Sequence, residues 1–302
     1  MSQVISTIVR TQTSLRRFVG RQMRQRRLNS YLRSDRRPWR PGYDEYRAQY
    51  LRRAVEDTEL LAVFRDGGSL PKDYAFRLDA RAVEIPWVLS RLSEREGVVL
   101  DAGSALNHEF VLLSPALAGK RIIITTLAPE ADAFWRLGVS YVFGDLRHLD
   151  FRDELFDSIV CISTIEHVGM DNSRYAGTAE TARRSDSRDF LQAVTELKRV
   201  LKPGGILYLS FPFGRYENHG WFQQFDAQLV DTLVAGFAPA QVRETIFRYQ
   251  PEGWSLSDRS ACADCEFFDV HLSKYFDSSS DIEYPPDYPA GERGLACLEL
   301  RK

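Results

Sequence analysis

The sequence predicts an α/β protein, a doubly wound, mostly parallel seven-stranded sheet with an N-terminal helical arm. Three observations carry that expectation. From residue 98 onward, strand-like apolar runs alternate with runs of helical period, as in a parallel sheet covered by helices. Ile122–Thr125 is an unbroken β-branched run, expected of a strand buried on both faces. Seven strand segments can be read in order along the chain.

The first strand is Val98–Leu100. Leu106, Phe110, Leu113 and Leu117 follow at helical spacing and predict a helix with one buried face. After the second strand, Ile122–Thr125, Pro129 marks a helix start, with Glu130 and Asp132 in its first turn, where acids suit the helix dipole. Tyr141–Phe143 is a short third strand ending at Gly144-Asp145, and FDSIVCIS (156–163) is the fourth. Phe190, Val194, Leu197 and Leu201 give another helical stripe, stopped at Lys202-Pro203-Gly204-Gly205. ILYLSF (206–211), Glu244–Tyr249 and Leu295–Leu300 complete the set.

The 302 residues divide into three parts: a basic arm over 1–40, a helical lead-in over 41–95, and the sheet domain over 96–302. An acidic, aromatic, Pro-containing insertion interrupts the sheet domain at about 251–293. The net charge is only −2, yet residues 1–53 carry 14 Arg against three acids. Val4, Ile8, Leu15 and Val19 share one helical face of the arm. A basic amphipathic helix suits an anionic membrane surface, here through residues 1–34; a solvated arm and an organelle transit peptide remain alternatives. Nucleic acid is disfavoured, because Phe18 is the only aromatic residue that interleaves with the arginines before Tyr31. In the lead-in, Tyr43, Tyr46, Tyr50 and Val55 form an apolar stripe, Gly67-Gly68 marks a loop, and RAVEIPWVLSRL (81–92) reads as a helix that passes or kinks at Pro86.

No run approaches the ~20 apolar residues of a membrane span, and the N-terminus lacks the apolar core of a secretory signal. The four cysteines show no disulfide spacing, so a reducing, cytoplasmic setting is expected. Cys262 and Cys265 form one CxxC, with His271 as a conceivable third ligand. Structural zinc needs four ligands, so a plain loop is the favoured reading.

In open sheets of this kind, ligands bind beyond the carboxyl ends of the strands. Those ends carry Asp101 and Gly103, Thr126, Asp145, the run STIEH (163–167), and PFG (212–214). Acids and small residues there suit a ligand with hydroxyls and a positive charge.

At these residues the chain resembles the class I S-adenosylmethionine-dependent methyltransferases, over about residues 96–215. VVLDAGS, GDLRHLDFRDELFDSIVCISTIEHVG and LKRVLKPGGILYLSFP match the family's motifs in order and spacing. ISTIEHVGMDNSRY, RAVEIPW and RGLACLEL look like a little-characterised bacterial subgroup, loosely associated with surface-polysaccharide and other glycan pathways. The resemblance implies S-adenosylmethionine as cofactor and a Rossmann-like fold. It places Asp101, Gly103 and Ser104 at the methionine end and the turn beneath it. Thr126 takes the position of the family's ribose-binding acid. Asp145 and Leu146 would meet the adenine, and Ser163 and Thr164 would face the cofactor from strand four.

The first turn lacks two of the usual glycines, with Ala105 and Asn107 in their places. Ala105 keeps most of the room, and Asn107 tolerates left-handed geometry. His108 or Glu109 could replace the lost ribose contact. Methylation of a hydroxyl needs a base, and histidine is the usual one near neutral pH. His167 and His219 lie on the expected rim, with Glu166 beside the former. Glu166-His167 also raises a metal reading, but Ser163 stands where related metal-dependent enzymes have a glutamate, so no metal ligand is assigned. Arg174, Tyr175, Arg183, Arg184, Tyr216, Trp221 and Phe222 are candidate acceptor contacts. The leading reading is methyl transfer to a hydroxyl of a glycan or glycolipid precursor at the cytoplasmic membrane face. A non-catalytic interaction module on the same fold, tethered by the arm, is the alternative. A dehydrogenase is disfavoured, since GxGxxG and an acid after strand two are both missing.

Overall fold

A computed structural model describes residue 20, residues 22–176 and residues 186–302. Ten strands follow one another: β1 (Val98–Ala102), β2 (Arg121–Thr126), β3 (Ser140–Phe143), β4 (Phe156–Ile162), β5 (Leu201–Pro212), β6 (Glu217–Asn218), β7 (Gln223–Gln224), β8 (Gln241–Gln250), β9 (Gly253–Ser257) and β10 (Gly294–Arg301). Eight of them form the central sheet, in the order β3-β2-β1-β4-β5-β10-β8-β9, while β6 and β7 pair separately. β1 through β5 run parallel, and β10 is antiparallel to both β5 and β8. The strand order reverses about β1, so a crevice opens at the carboxyl ends of β1 and β4.

The helices are α1 (22–33), α2 (Tyr43–Glu56), α3 (Thr58–Asp66), α4 (Arg81–Leu89), α5 (Glu109–Leu112), α6 (Ser173–Ala176), α7 (Phe190–Val200), α8 (Ala227–Phe237) and α9 (Arg259–Cys262). Side chains alternate across a strand, so each central strand feeds two cores. Val99, Ile124, Val160, Ile162 and Tyr208 join the lead-in residues Leu51, Phe64 and Trp87 on one face. Leu100, Ile159, Cys161, Leu207 and Leu209 join Phe190, Val194, Leu197 and Leu233 of α7 and α8 on the other. The lead-in is thus one of the two layers that cover the sheet.

α4 continues through Pro86. Proline has no N–H for the carbonyl four residues back, here that of Ala82. The buried Tyr74 hydroxyl donates to that carbonyl instead, at 2.6 Å. This repair lets the helix keep eight consecutive buried residues, Ala82 to Leu89.

Several expectations need correction. The sheet has eight strands, because the insertion contributes β9 as a hairpin partner of β8. Trp254 on β9 donates its indole N–H to the Leu78 carbonyl at 2.9 Å, fastening this edge to the lead-in. The helix expected over Leu106–Leu117 shrinks to α5 and a single 3-10 turn at Pro115–Leu117. Ser114, preceding Pro115, is extended, as that position prefers, and Leu113 is left exposed. No helix starts at Pro129. Asn107 Nδ2 donates to the Glu130 carboxylate at 2.8 Å and to the Asp132 carbonyl at 3.0 Å, which holds this stretch as a loop. The α7 helix ends at Val200, and residues 202–205 loop out between the pairs Phe156–Leu201 and Ser158–Ile206.

Of the basic arm, the face formed by Val4, Ile8, Leu15 and Val19 lies outside the described residues, as do Arg183 and Arg184. No helix among the described residues is long and apolar enough to cross a membrane. Cys262 and Cys265 are buried free thiols. Among the described residues no group of three His, Cys, Asp or Glu could hold a metal ion.

Candidate active site

A cavity of about 380 Å³ opens at the carboxyl ends of the parallel strands, within the usual range for small-molecule sites. Gly103, Thr125, Thr126, Asp145, Leu146, Ser163 and Thr164 line its sheet side. Four strand ends thereby contribute to one wall. Glu166 and His167 come from the 3-10 turn Ile165–His167 that follows β4.

The first turn is built around Asp101. Its carboxylate is fully buried and accepts the N–H groups of Ala105 and Leu106 at 3.1 and 2.8 Å. Burial pushes its pKa up to about 7, against those two hydrogen bonds. Asp101 therefore shapes the turn from below and does not line the cavity. Gly103 has φ +113°, and a Cβ there would lie 1.9 Å from Thr164 Oγ1. Glycine is needed for the close approach of the β1 and β4 ends. The left-handed residue after it is Ser104, with φ 69°, whereas Asn107 has no such φ. Asn107 instead uses its side chain to tie down the Glu130 loop, and its Oδ1 accepts from the Tyr141 hydroxyl at 2.8 Å. Ser104 is buried behind the lining.

His108 stacks on Phe110 and Glu109 pairs with Arg136, so neither lines the cavity. Asp145 receives a two-pronged contact from Arg147, at 2.6 to 3.1 Å, which orients its carboxylate at the rim. The Thr125 hydroxyl is buried on this wall with no hydrogen-bond partner among the described residues.

His167 Nδ1 lies 2.9 Å from the Trp221 carbonyl. A carbonyl only accepts, so Nδ1 carries the proton and Nε2 keeps its lone pair. Burial lowers the His167 pKa to about 4, so the ring is neutral at pH 7. Glu166 Oε1 is 3.9 Å from Nε2, beyond hydrogen-bond range. Burial raises the Glu166 pKa well above the carboxylate range. Tyr175, Trp221 and Phe222 surround the imidazole, with ring centroids 5.3 to 5.9 Å away. His219 is elsewhere: it stacks flat on Phe222 at 4.5 Å, behind the aromatic wall and off the cavity lining. Tyr216 is exposed and also off the lining, and Arg174 lies over the Trp221 ring.

The opposite wall escaped the sequence reading. Arg47 of α2, Asp79, Arg81 and Glu84 at the start of α4, and Glu292 before β10 all line the cavity. Glu84 is fully buried; its Oε1 accepts from the Ser163 and Ser210 hydroxyls at 2.5 and 2.6 Å, and its Oε2 from Arg81 at 3.0 Å. Arg47 pairs with Asp79 at 2.6 Å. Burial opposes the charge of Arg81, yet Glu84, Asp79, Glu166 and Glu292 together hold its pKa above the ordinary value. Burial first, and the charge of Asp79 second, raise Glu292 to about 7. One signal was available: charged residues inside the apolar run RAVEIPWVL are rarely buried without a partner.

A reversing parallel sheet with a cavity at its carboxyl edge defines a doubly wound α/β protein whose ligand site lies at the switch point. Residues 100–209 match the family model described as a methyltransferase domain. Over those residues the chain carries a methyltransferase domain, and S-adenosylmethionine is the cofactor this implies. The structure is similar to that of the Burkholderia thailandensis 1,6-didemethyltoxoflavin-N1-methyltransferase with bound S-adenosylhomocysteine. Identity is 17%, coverage 86% of this chain and 90% of that one, and the TM-score 0.42. It is also similar to an S-adenosylmethionine-dependent methyltransferase from Methanosarcina mazei, with 15% identity, coverage of 71% and 96%, and a TM-score of 0.40. No curated protein matches the sequence.

The residues present fit the cofactor. Thr126 and the unpartnered Thr125 hydroxyl would meet its ribose, Asp145 and Leu146 its adenine. Ser163 and Thr164 would face it from β4.

Proposed function

We propose that the enzyme methylates a hydroxyl of a glycan or glycolipid precursor. The observation that carries this is the His167 imidazole, held neutral with its Nε2 lone pair available at the cavity. S-adenosylmethionine, when bound, supplies an electrophilic methyl group. The chain's own part is to orient the acceptor and to take its proton. Trp221, Phe222 and Tyr175 offer flat apolar surface on which a sugar ring can lie. His167 Nε2 accepts the hydroxyl proton as the oxygen becomes nucleophilic, and the Trp221 carbonyl stabilises the resulting imidazolium through Nδ1–H. Asp145 and Thr126 fix the cofactor side, so that much of the rate comes from alignment, worth several kcal/mol.

We assign the arm to an anionic membrane surface on the cytoplasmic side. In support, α1 exposes Arg24, Arg26, Arg27 and Arg33 together with Met23 and Leu32, the mixture that suits lipid phosphates and the acyl boundary. Anionic vesicles should sediment the full chain, and a chain lacking residues 1–40 should stay in solution. Equal sedimentation would remove this assignment.

The catalytic reading is tested by incubating the enzyme with methyl-labelled cofactor and a panel of hydroxylated glycans. The expected product is a methyl ether, formed ~10²- to 10⁴-fold more slowly by His167→Asn, with S-adenosylhomocysteine binding retained. An undiminished rate in that variant would exclude His167 as the base.

A further inference from the structure

Four carboxylates, from Asp79, Glu84, Glu166 and Glu292, surround Arg81 at the cavity, and Arg47 pairs with the first of them. Among the described residues two guanidinium groups therefore face four acids, a deficit of two positive charges when all four are ionised. Their hydrogen bonds do not close the account either. Glu84 is fully engaged with Ser163, Ser210 and Arg81. Glu166 Oε2 and Asp79 Oδ1, by contrast, are buried and have no partner among the described residues. Glu166 is 1% exposed and Asp79 7%, and both residues line the cavity. A buried oxygen left unpaired is costly, and more so when charged, so a donor-bearing cation is the complement this wall lacks among the described residues. Protons relieve the deficit without a ligand, which is the sense of the raised Glu166 and Glu292 pKa values.

We propose that this wall is an acceptor subsite for a protonated amine, so that the hydroxylated acceptor placed next to His167 is an amino sugar. The inference rests on the methyltransferase reading of the same cavity and adds to it the charge of the acceptor. A neutral sugar fills the aromatic side alone and leaves the carboxylates unanswered. An ammonium offers three donors, as many as the acids Glu166, Asp79 and Glu292.

Saturation-transfer NMR on the full chain at pH 7, with S-adenosylhomocysteine present, tests this with glucosamine, N-acetylglucosamine and glucose as probes. Glucosamine is expected to bind at least tenfold more tightly than the other two. Glu292→Gln and Asp79→Asn should each remove that preference while leaving S-adenosylhomocysteine affinity within twofold, which also shows that the variants are folded. Equal binding of the three sugars, binding of none, or a preference that survives both substitutions overturns the proposal. Failure of S-adenosylhomocysteine itself to bind would instead overturn the methyltransferase reading on which it rests.

Discussion

The Trp221 carbonyl defines His167 more than the neighbouring charge does. One contact of 2.9 Å selects the tautomer, and burial holds the ring neutral by lowering its pKa to about 4. A histidine so placed stays unprotonated as pH falls through the ordinary value near 6.5 and charges only near 4. In ¹⁵N-histidine spectra the His167 ring should therefore show no titration between pH 5 and 8. A midpoint near 6.5 would mean that the ring is solvated and the site open. His167, Glu166, Gly103, Thr126, Asp145 and Ser163 were legible as rim residues because each directly follows a strand whose apolar run is easily read. Asp101 and His219 were legible in position but not in direction. Asp101 turns inward because Ala105 and Leu106 present two N–H groups to it. His219 faces away because Phe222 offers it a flat partner.

At the scale of elements, α4 shows how a sequence signal can cut both ways. Pro86 reads as a point where the helix passes or kinks, and the helix passes through it because a side chain from outside the helix replaces the missing donor. Tyr74→Phe should lower stability by about 1–3 kcal/mol, the cost of orphaning the buried Ala82 carbonyl. Adding Pro86→Ala restores an N–H to that carbonyl and should recover at least half of the loss, a non-additive cycle. Strict additivity in urea unfolding would contradict this account of the helix. The expected helices failed at Leu106–Leu117 and at Pro129. Both carry helical signals, spacing in one and a favourable first turn in the other. Local ties, Ser114-Pro115 and the Asn107 side chain, outweigh them. Spacing reports a buried face and says nothing of what else competes for the backbone.

For the molecule as a whole, the lead-in is the unexpected half of the site. Sequence order places residues 41–95 ahead of the sheet, yet Arg47, Asp79, Arg81 and Glu84 form the cavity wall opposite the strand ends. Only the tertiary fold brings Glu292, more than 200 positions later, against them, so no local pattern could announce the cluster. Its cost should be measurable. Glu292 binds its proton up to about pH 7 when folded, against 4.5 ordinarily. Between those values the folded chain holds a proton that the unfolded chain has lost, so stability falls as pH rises through this window. Glu292→Gln removes that loss: it should melt at least about 2 °C above the parent at pH 8 and level with it at pH 4.5. A gain of the same size at both pH values would show that burial, not ionisation, is responsible. The central claim is that the rim of β1 to β4 holds an adenosyl sulfonium cofactor with Thr126 in place of an acid. Titration calorimetry with S-adenosylhomocysteine tests it most directly. The account predicts one-to-one binding, weakened at least about tenfold, or ~1.4 kcal/mol, by Asp145→Ala and by Thr126→Val. Absence of binding to the parent chain, or full affinity in both variants, would contradict it.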